Sequence, residues 1–485
     1  MRRTRFVLIL SVILAAATAL RFYRLDHFSY WLDEILEVRF SQGTWQEFWK
    51  GRRVDVLHPP LDYLVIRGLE PFHPPDWVRK VPAALWGLGT IFVFGGFIAR
   101  RAGRRPALLA MALLAFAPFH VRYSQELRPY SLGLLLLCTS MLCLELVLER
   151  PTPLRAAAFL LACLACAYTL YFAAVVLSIA GAAMLAEDCF SISAERRRNA
   201  RRVLSRSPLF LLGFLLAYLP WLIVMTGASK RVPVAPALAL SLDRFERTLS
   251  FFTFASNGGV PPGAGGLAYA ALMAAGAVMA LRRPGLRFLV CWAVLGAAAI
   301  EIFHLLRPLP YEASRHFLPA GLALIALAAL AMSTLFDDRR WRLPGAVLLT
   351  VVMLLDAREL VSYYRAGRPD WRPLGEFLGR ETKMSERVLS ENSAAQICAD
   401  FYFRSSAPAV QRPRILVAPD VLSVESLWPP ASRAWLILGG GPVNSALHRW
   451  ADRYPSFPFP AADGSAEVRR LDAALRTADG TDSSQ

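Results

Sequence analysis

Asp33 and Glu34 stand side by side in Tyr30-Trp31-Leu32-Asp33-Glu34, at the mouth of the first apolar stretch, and Asp55 and His58 follow within one short polar segment. Carboxylates and an imidazole are groups that accept protons or ligate a divalent cation. Almost everything around them is apolar, so a polar cluster held at a membrane face needs a reason. The reading adopted is that this loop is the reactive part and that the remaining chain positions lipid-linked reactants against it. A plainer role competes: Asp33 and Glu34 also suit the first turn of a helix, where the dipole favours carboxylates. Pro59-Pro60 fixes a rigid extended turn after His58. Three roles stay open for His58: a hydrogen bond within the chain, a substrate contact, or a metal ligand. Asp33, Glu34, Asp55 and His58 have the chemistry to share a divalent metal, but no metal or other cofactor is assumed.

The elements that must hold this loop are hydrophobic. The chain has 485 residues, 55% apolar and 19% charged, with a mean hydropathy of +0.39. Apolar runs fall at 6–20, 81–99, 106–120, 129–148, 156–169, 171–186, 208–226, 265–281, 288–305, 316–335 and 343–356. That makes about eleven spans, counting runs near the length that crosses a bilayer. The first run resembles a signal peptide with a small-residue cleavage stretch at Ala15–Ala19; a retained first span is the preferred reading. The stretch 156–186 is too long for one crossing and is divided at Tyr168-Thr169-Leu170-Tyr171.

The arginines test this count. They crowd around Arg2–Arg5, Arg100–Arg105, Arg150–Arg155, Arg196–Arg206, Arg282–Arg287 and Arg339–Arg342, in every second loop. The net charge of +17 is therefore mostly membrane topology, with basic loops inside, and not a nucleic-acid surface. The N-terminus is expected in the cytoplasm and the C-terminus outside. The polar stretches that break the basic-inside pattern, 21–80, His120–Tyr130, 227–263, 306–315 and the chain after 357, then share the outer side. Residues 31–40 have the apolar spacing of a short amphipathic helix. Leu242, Phe245, Leu249 and Phe252 predict another in 227–263, followed by Asn257–Gly263, a lid or a membrane-resting loop. After Arg368 come short apolar runs at 387–390, 414–418 and 434–438, with helical stretches near 373–381, 394–403 and 443–452 between them. This alternation predicts a small α/β domain. The expected organisation is a transmembrane domain over 1–358 with its catalytic loop at 21–80, an extracytoplasmic α/β domain over 359–475, and a disordered tail over 476–485.

Trp31-Leu32-Asp33-Glu34, His58-Pro59-Pro60-Leu61 and Tyr123-Ser124-Gln125-Glu126-Leu127-Arg128-Pro129-Tyr130, taken together, resemble the signature of bacterial family 39 glycosyltransferases. That group holds protein mannosyltransferases and the lipid A aminoarabinose transferase, all with the membrane GT-C fold. Tyr168–Ala173, Ser314-Arg315-His316-Phe317-Leu318-Pro319 and Asp370-Trp371-Arg372 resemble further segments of it. Where the group usually has a histidine after Tyr-Thr, this chain has Leu170. The resemblance implies an α-helical polytopic membrane protein of the bacterial inner membrane. It also implies inverting transfer of a sugar from a polyprenyl-phosphate carrier to a hydroxyl on lipid A, a glycan or a protein at the outer face.

A hydroxyl is a poor nucleophile near neutral pH, so a carboxylate should take its proton. Asp33 stands where the group's motif places that base, with Glu34 as second choice or as an orienter of the acceptor. Phosphate gains charge as it leaves, and guanidinium forks suit it. Arg128 and Arg315 are the candidates, although arginines near span ends also snorkel to lipid headgroups. Lys230 and Arg231 are candidates to close over the same phosphate. Tyr123, Gln125 and Glu126 are expected to bind sugar hydroxyls or to hydrogen-bond between helices. Asp55, His58 and His316 complete the substrate-binding candidates.

Cys163 and Cys166 form a C-x-x-C inside an apolar helix with no redox context, and Gly439-Gly440-Gly441 lacks the spacing of a nucleotide loop. The competing class is a transporter or flippase of lipid-linked sugars. Such proteins place polar sites near the bilayer midplane and often carry internal repeats, whereas here the ionisable residues crowd into outer loops.

Overall fold

The computed structural model describes residues 3–228, 264–307, 314–365, 370–406, 412–428, 432–439, 444–459 and 466–472. The chain forms two compact units, Met1–Tyr23 with Phe40–Val361, and Arg24–Arg39 with Ser362–Gln485. The stretch carrying Asp33 and Glu34 thus clusters with the C-terminal chain.

The larger unit is helical. In chain order it contains α1 (Arg3–Phe22), the end of α2 (Leu32–Ser41), α3 (Trp45–Val54), α4 (Leu61–Leu69), α5 (Asp76–Arg101), α6 (Arg104–Phe116), α7 (Pro118–Tyr123), α8 (Tyr130–Glu149), α9 (Pro153–Ala167), α10 (Tyr171–Cys189) and α11 (Ala194–Ala228). Then come α12 (Ala264–Arg282), α13 (Phe288–Leu306), α14 (Leu318–Leu335) and α15 (Arg342–Arg365). The predicted apolar runs fall on these helices, the run 106–120 on two of them. Seven of them, α1, α5, α8, α10, α11, α13 and α14 with its preceding turn, are long and apolar enough to cross a membrane among the described residues. Of the helices on the other runs, α6 and α9 are shorter and α15 is more polar. The run 156–186 divides as expected, with Tyr168–Leu170 between α9 and α10. Pro118 breaks the run 106–120 into α6 and α7, because its ring disfavours helix in the residue before it.

Burial separates two kinds of apolar helix. α14 is buried along nearly its whole length, as an all-round apolar helix at a core must be. Gly276 of α12 lets the two backbones touch: a Cβ there would collide with the Leu327 carbonyl oxygen of α14. α11 instead exposes Leu209, Leu212, Leu216 and Ile223, as a face turned to lipid would. The protein is a multi-pass membrane protein.

The smaller unit is α/β. α16 (Trp371–Glu381), β1 (Arg387–Ser390), α17 (Ser393–Ser406), β2 (Ile415–Val417), α18 (Val421–Leu427), β3 (Ala434–Leu438), α19 (Ser445–Ala451), β4 (Ser456–Phe459) and β5 (Ala466–Leu471) follow one another. The sheet order is β2-β1-β3-β5-β4. β1 pairs parallel with β2 and β3, and β5 pairs antiparallel with β3 and β4. The first three strands are the apolar runs read from sequence. β4 and β5 were not anticipated, because Ser456-Phe457-Pro458-Phe459 and Ala466–Leu471 mix charge and proline with apolar residues.

Candidate active site

In the larger unit, His58 and Arg128 meet. Arg128 donates from Nη2 to His58 Nε2 at 2.7 Å. A nitrogen that accepts carries no proton, so the imidazole is neutral with its hydrogen on Nδ1. Burial, then the positive charge of Arg128, Arg315, His316 and Arg52, holds the His58 pKa well below its usual range. Those causes also locate the neighbours: Arg128 and Arg315, 187 positions apart in the sequence, act on one ring. His316 lies in the turn before α14, hydrogen-bonded through Nδ1 to His304 Nε2 at 2.9 Å and stacked on Phe172 at 4.3 Å between ring centroids.

The loop carrying His58 is strapped on both sides. Leu61 N–H donates to the Tyr168 carbonyl. Tyr171 O–H donates to the Val56 carbonyl at 2.9 Å and accepts from Trp221 Nε1. Asp55 ends α3 and accepts from Tyr63 O–H and Leu57 N–H, while the buried Arg52 guanidinium lies 3.3 Å over the Tyr63 ring. Asp55 therefore holds the loop in shape. Leu170, where the resembled group has histidine, is buried against Gly133, whose Cβ would come within 2.9 Å of it.

Of the Tyr123–Tyr130 segment, Gln125 spends its amide on the carbonyls of Leu20, Arg21 and Tyr23, the orphan acceptors at the end of α1. Glu126 is buried and pairs with Arg122 at 3.1 Å. Tyr123 packs edge-on against Tyr130. Lys230 and Arg231, with the helix expected around 242–252 and the lid expected at 257–263, lie outside the described residues.

Sequence reasoning missed three groups. Asp62, in the first turn of α4, is buried, and burial pushes its carboxyl up to about 7 against the opposing pull of Arg128. Lys80 is buried near the start of α5. Arg21 is fully buried and reaches the Ala17 and Ala115 carbonyls and His120 Nδ1. Asp62 follows the His-Pro-Pro run by two positions, which was an available signal.

In the smaller unit, Asp33 and Glu34 open α2 as predicted, and they differ. Glu34 is fully buried and accepts from Trp31 N–H at 3.2 Å, the reach-back of a helix-capping acid. Asp33 is only half-buried. The segment bearing both is clasped by the C-terminal chain. Tyr30 N–H donates to Tyr402 O–H, Trp371 N–H to Ser29 Oγ, and Arg39 pairs with Asp400 at 2.9 Å. Arg372 donates to the Asp26 and His27 carbonyls. The Cys398 thiol is pushed up to about 12 by burial, with Asp33 and Glu34 adding to the effect. Among the described residues no three His, Cys, Asp or Glu side chains gather as a metal-ligand set.

Residues 57–228 match the family model described as dolichyl-phosphate-mannose-protein mannosyltransferase. The fold matches ArnT from Cupriavidus metallidurans bound to undecaprenyl phosphate, with TM-score 0.58, 15% identity, and coverage of 98% of this chain and 99% of that one. The apo form of ArnT gives 0.57 at 15% identity, covering 97% and 98%. AglB, the archaeal oligosaccharyltransferase of Archaeoglobus fulgidus in complex with an inhibitory peptide and a dolichol-phosphate, matches with TM-score 0.54 and 12% identity over 89% of this chain and 69% of its own. No curated protein matches the chain. The resemblance to GT-C glycosyltransferases read from the motifs is borne out by these matches.

Proposed function

We propose that this GT-C-fold chain is an inverting glycosyltransferase that moves a sugar from a polyprenyl-phosphate carrier to a hydroxyl acceptor of the cell envelope, at the outer face of the bacterial inner membrane. The acceptor oxygen attacks the anomeric carbon and its proton passes to Asp33. The bond from that carbon to the phosphate oxygen breaks, and its electron pair leaves with polyprenyl phosphate. Arg128 and Arg315 meet the charge that develops there, since forked guanidinium donors match phosphate oxygens. The observation that carries this reading is the pair of arginines from distant segments gathered around one neutral imidazole. Glu34 orients α2 through its cap, which leaves Asp33 as the base.

The test is release of polyprenyl phosphate from a polyprenyl-phosphate sugar by purified protein. Asp33→Asn should lower turnover by about 10²–10⁴-fold, the usual worth of a general base, with the fold intact. Undiminished transfer by that variant removes Asp33 from the chemistry. Movement of intact sugar lipid across vesicles, without cleavage, would instead identify a flippase.

A further inference from the structure

A groove of about 370 Å³ opens among α8, α9, α10 and α11, at the arginine-rich end of these helices. Its wall is apolar, with Val147, Phe159, Leu177, Phe210 and Phe214 among the lining side chains. Arg202 and Arg206 break that pattern at one end. They are four apart on α11 and so share one side of it.

Several neighbouring polar groups at that end are committed to the protein. Asn199 donates to the Leu148 and Glu149 carbonyls, Arg155 donates to the Leu146 carbonyl, and Arg196 pairs with Glu145 and Asp188. Arg202 and Arg206 are exposed and form no ion pair with a described residue. The groove follows α11 from Arg202 to Phe214, about 18 Å of helix. One leaflet of hydrocarbon is about 15 Å deep, half of a bilayer core. The site lies apart from the His58–Arg128 cluster: Tyr130 and Val147, near the two places, are about 25 Å apart along α8.

We propose that this groove binds one anionic glycerophospholipid, with an acyl chain along the Leu and Phe wall and its phosphate on Arg202 and Arg206. Charge complementarity and leaflet-length depth select that occupant. A polyprenyl chain is much longer than the groove, and a zwitterionic lipid cancels much of the attraction to two cations. The bound lipid would join α9 to α11, two helices that otherwise expose much of their apolar surface.

The experiment is native mass spectrometry of full-length protein, titrated with phosphatidylglycerol, phosphatidylcholine and polyprenyl phosphate, alongside thermal unfolding of the lipid-free forms. Wild type should hold one phosphatidylglycerol in preference to phosphatidylcholine. The double variant R202Q/R206Q should bind it about thirtyfold more weakly, from roughly one contact's worth of attraction per arginine, with unchanged lipid-free unfolding. Gly181→Leu is the second probe. Gly181 lines the groove, and a Cβ there meets Leu144 at an ordinary 3.5 Å, so the larger side chain should displace the lipid while both arginines remain. Equal retention of the two phospholipids, or variants that bind like wild type, would mean ordinary surrounding lipid and overturn the proposal. Preference for polyprenyl phosphate would overturn it in favour of a carrier site.

Discussion

Two charged clusters in the larger unit make opposite use of arginine. At the arginine-rich end, Arg101 and Arg196 share Glu145 and Asp188. Arg101 lies 2.5 Å from Glu145 and 3.0 Å from Asp188, and Arg196 lies 2.5 Å and 2.8 Å from the same two. Two cations and two anions close on themselves across α5, α8, α10 and α11. In the other cluster burial, and after it Arg128, Arg315 and Arg52, keep His58 neutral, and the nearby Asp62 is a carboxyl that burial favours protonated. The first cluster has its counter-charge built in and ties helices together. The second gathers cations from separate segments around one neutral ring, with Arg52 also 3.7 Å from Asp55, an arrangement that suits phosphate.

The largest effect expected from this contrast is structural. Glu145→Gln leaves the buried Arg101 and the half-buried Arg196 with half their counter-charge. Breaking one partner of a buried ion pair typically costs about 3–5 kcal/mol, so thermal unfolding in detergent should shift down sharply. A Glu145→Gln protein as stable as wild type would mean that the network does not hold the bundle. Arg128→Lys probes the other cluster. It keeps the charge and removes the fork, so turnover should fall by about 10²-fold or more, the scale of losing one charge-stabilising donor, with little change in unfolding. If stability falls with activity, Arg128 is a structural ion like Arg101 and the contrast collapses.

How far the sequence carried this picture depends on the range of the interaction. The eleven apolar runs, the break at Tyr168–Tyr171, the first turn of α2 and β1 to β3 were all legible, because periodicity, hydropathy and the arginine alternation are local signals. The clasp of residues 24–39 by the C-terminal chain was not. Tyr402, Asp400 and Trp371 engage Tyr30, Arg39 and Ser29 across more than 340 positions, and no spacing rule encodes that. Helix α17 of the α/β unit engages the segment that bears Asp33. Gln125 shows the reverse error of emphasis. Its place in a motif-like run suggested a ligand contact as readily as a helix tie, and its amide is committed to α1. Asp62 was overlooked because an acid in a helix's first turn looks like an ordinary dipole partner; only its burial beside Arg128 sets it apart.

Acidity sharpens the contrast further. The His58 pKa is depressed in the folded protein, so its contribution to stability is present above its ordinary value near 6.5 and is lost as pH falls below it. Protonation would also end its role as acceptor for Arg128 and set a cation against Arg128, Arg315 and Arg52. Both stability and transfer should therefore decline on the acid side. His58→Gln, which can still accept from Arg128 but cannot titrate, should flatten that limb while keeping part of the activity. A limb unchanged in this variant would assign it to another group.

Asp62 works in the opposite direction and gives the smallest effect. Its carboxyl pKa rises from 3.8 to about 7 on folding, so its contribution is present below 3.8 and is lost as pH rises through 7. Asp62→Asn is fixed in the neutral form. It should unfold at the same temperature as wild type near pH 4 and at a higher one at pH 8, by a few kcal/mol at most. The neutral amide also removes a titrating anion felt by Arg128, so above pH 7 the variant should bind polyprenyl phosphate more tightly than wild type. Tighter binding without added stability would make Asp62 a competitor for the phosphate alone. Added stability without tighter binding would detach Arg128 from the donor.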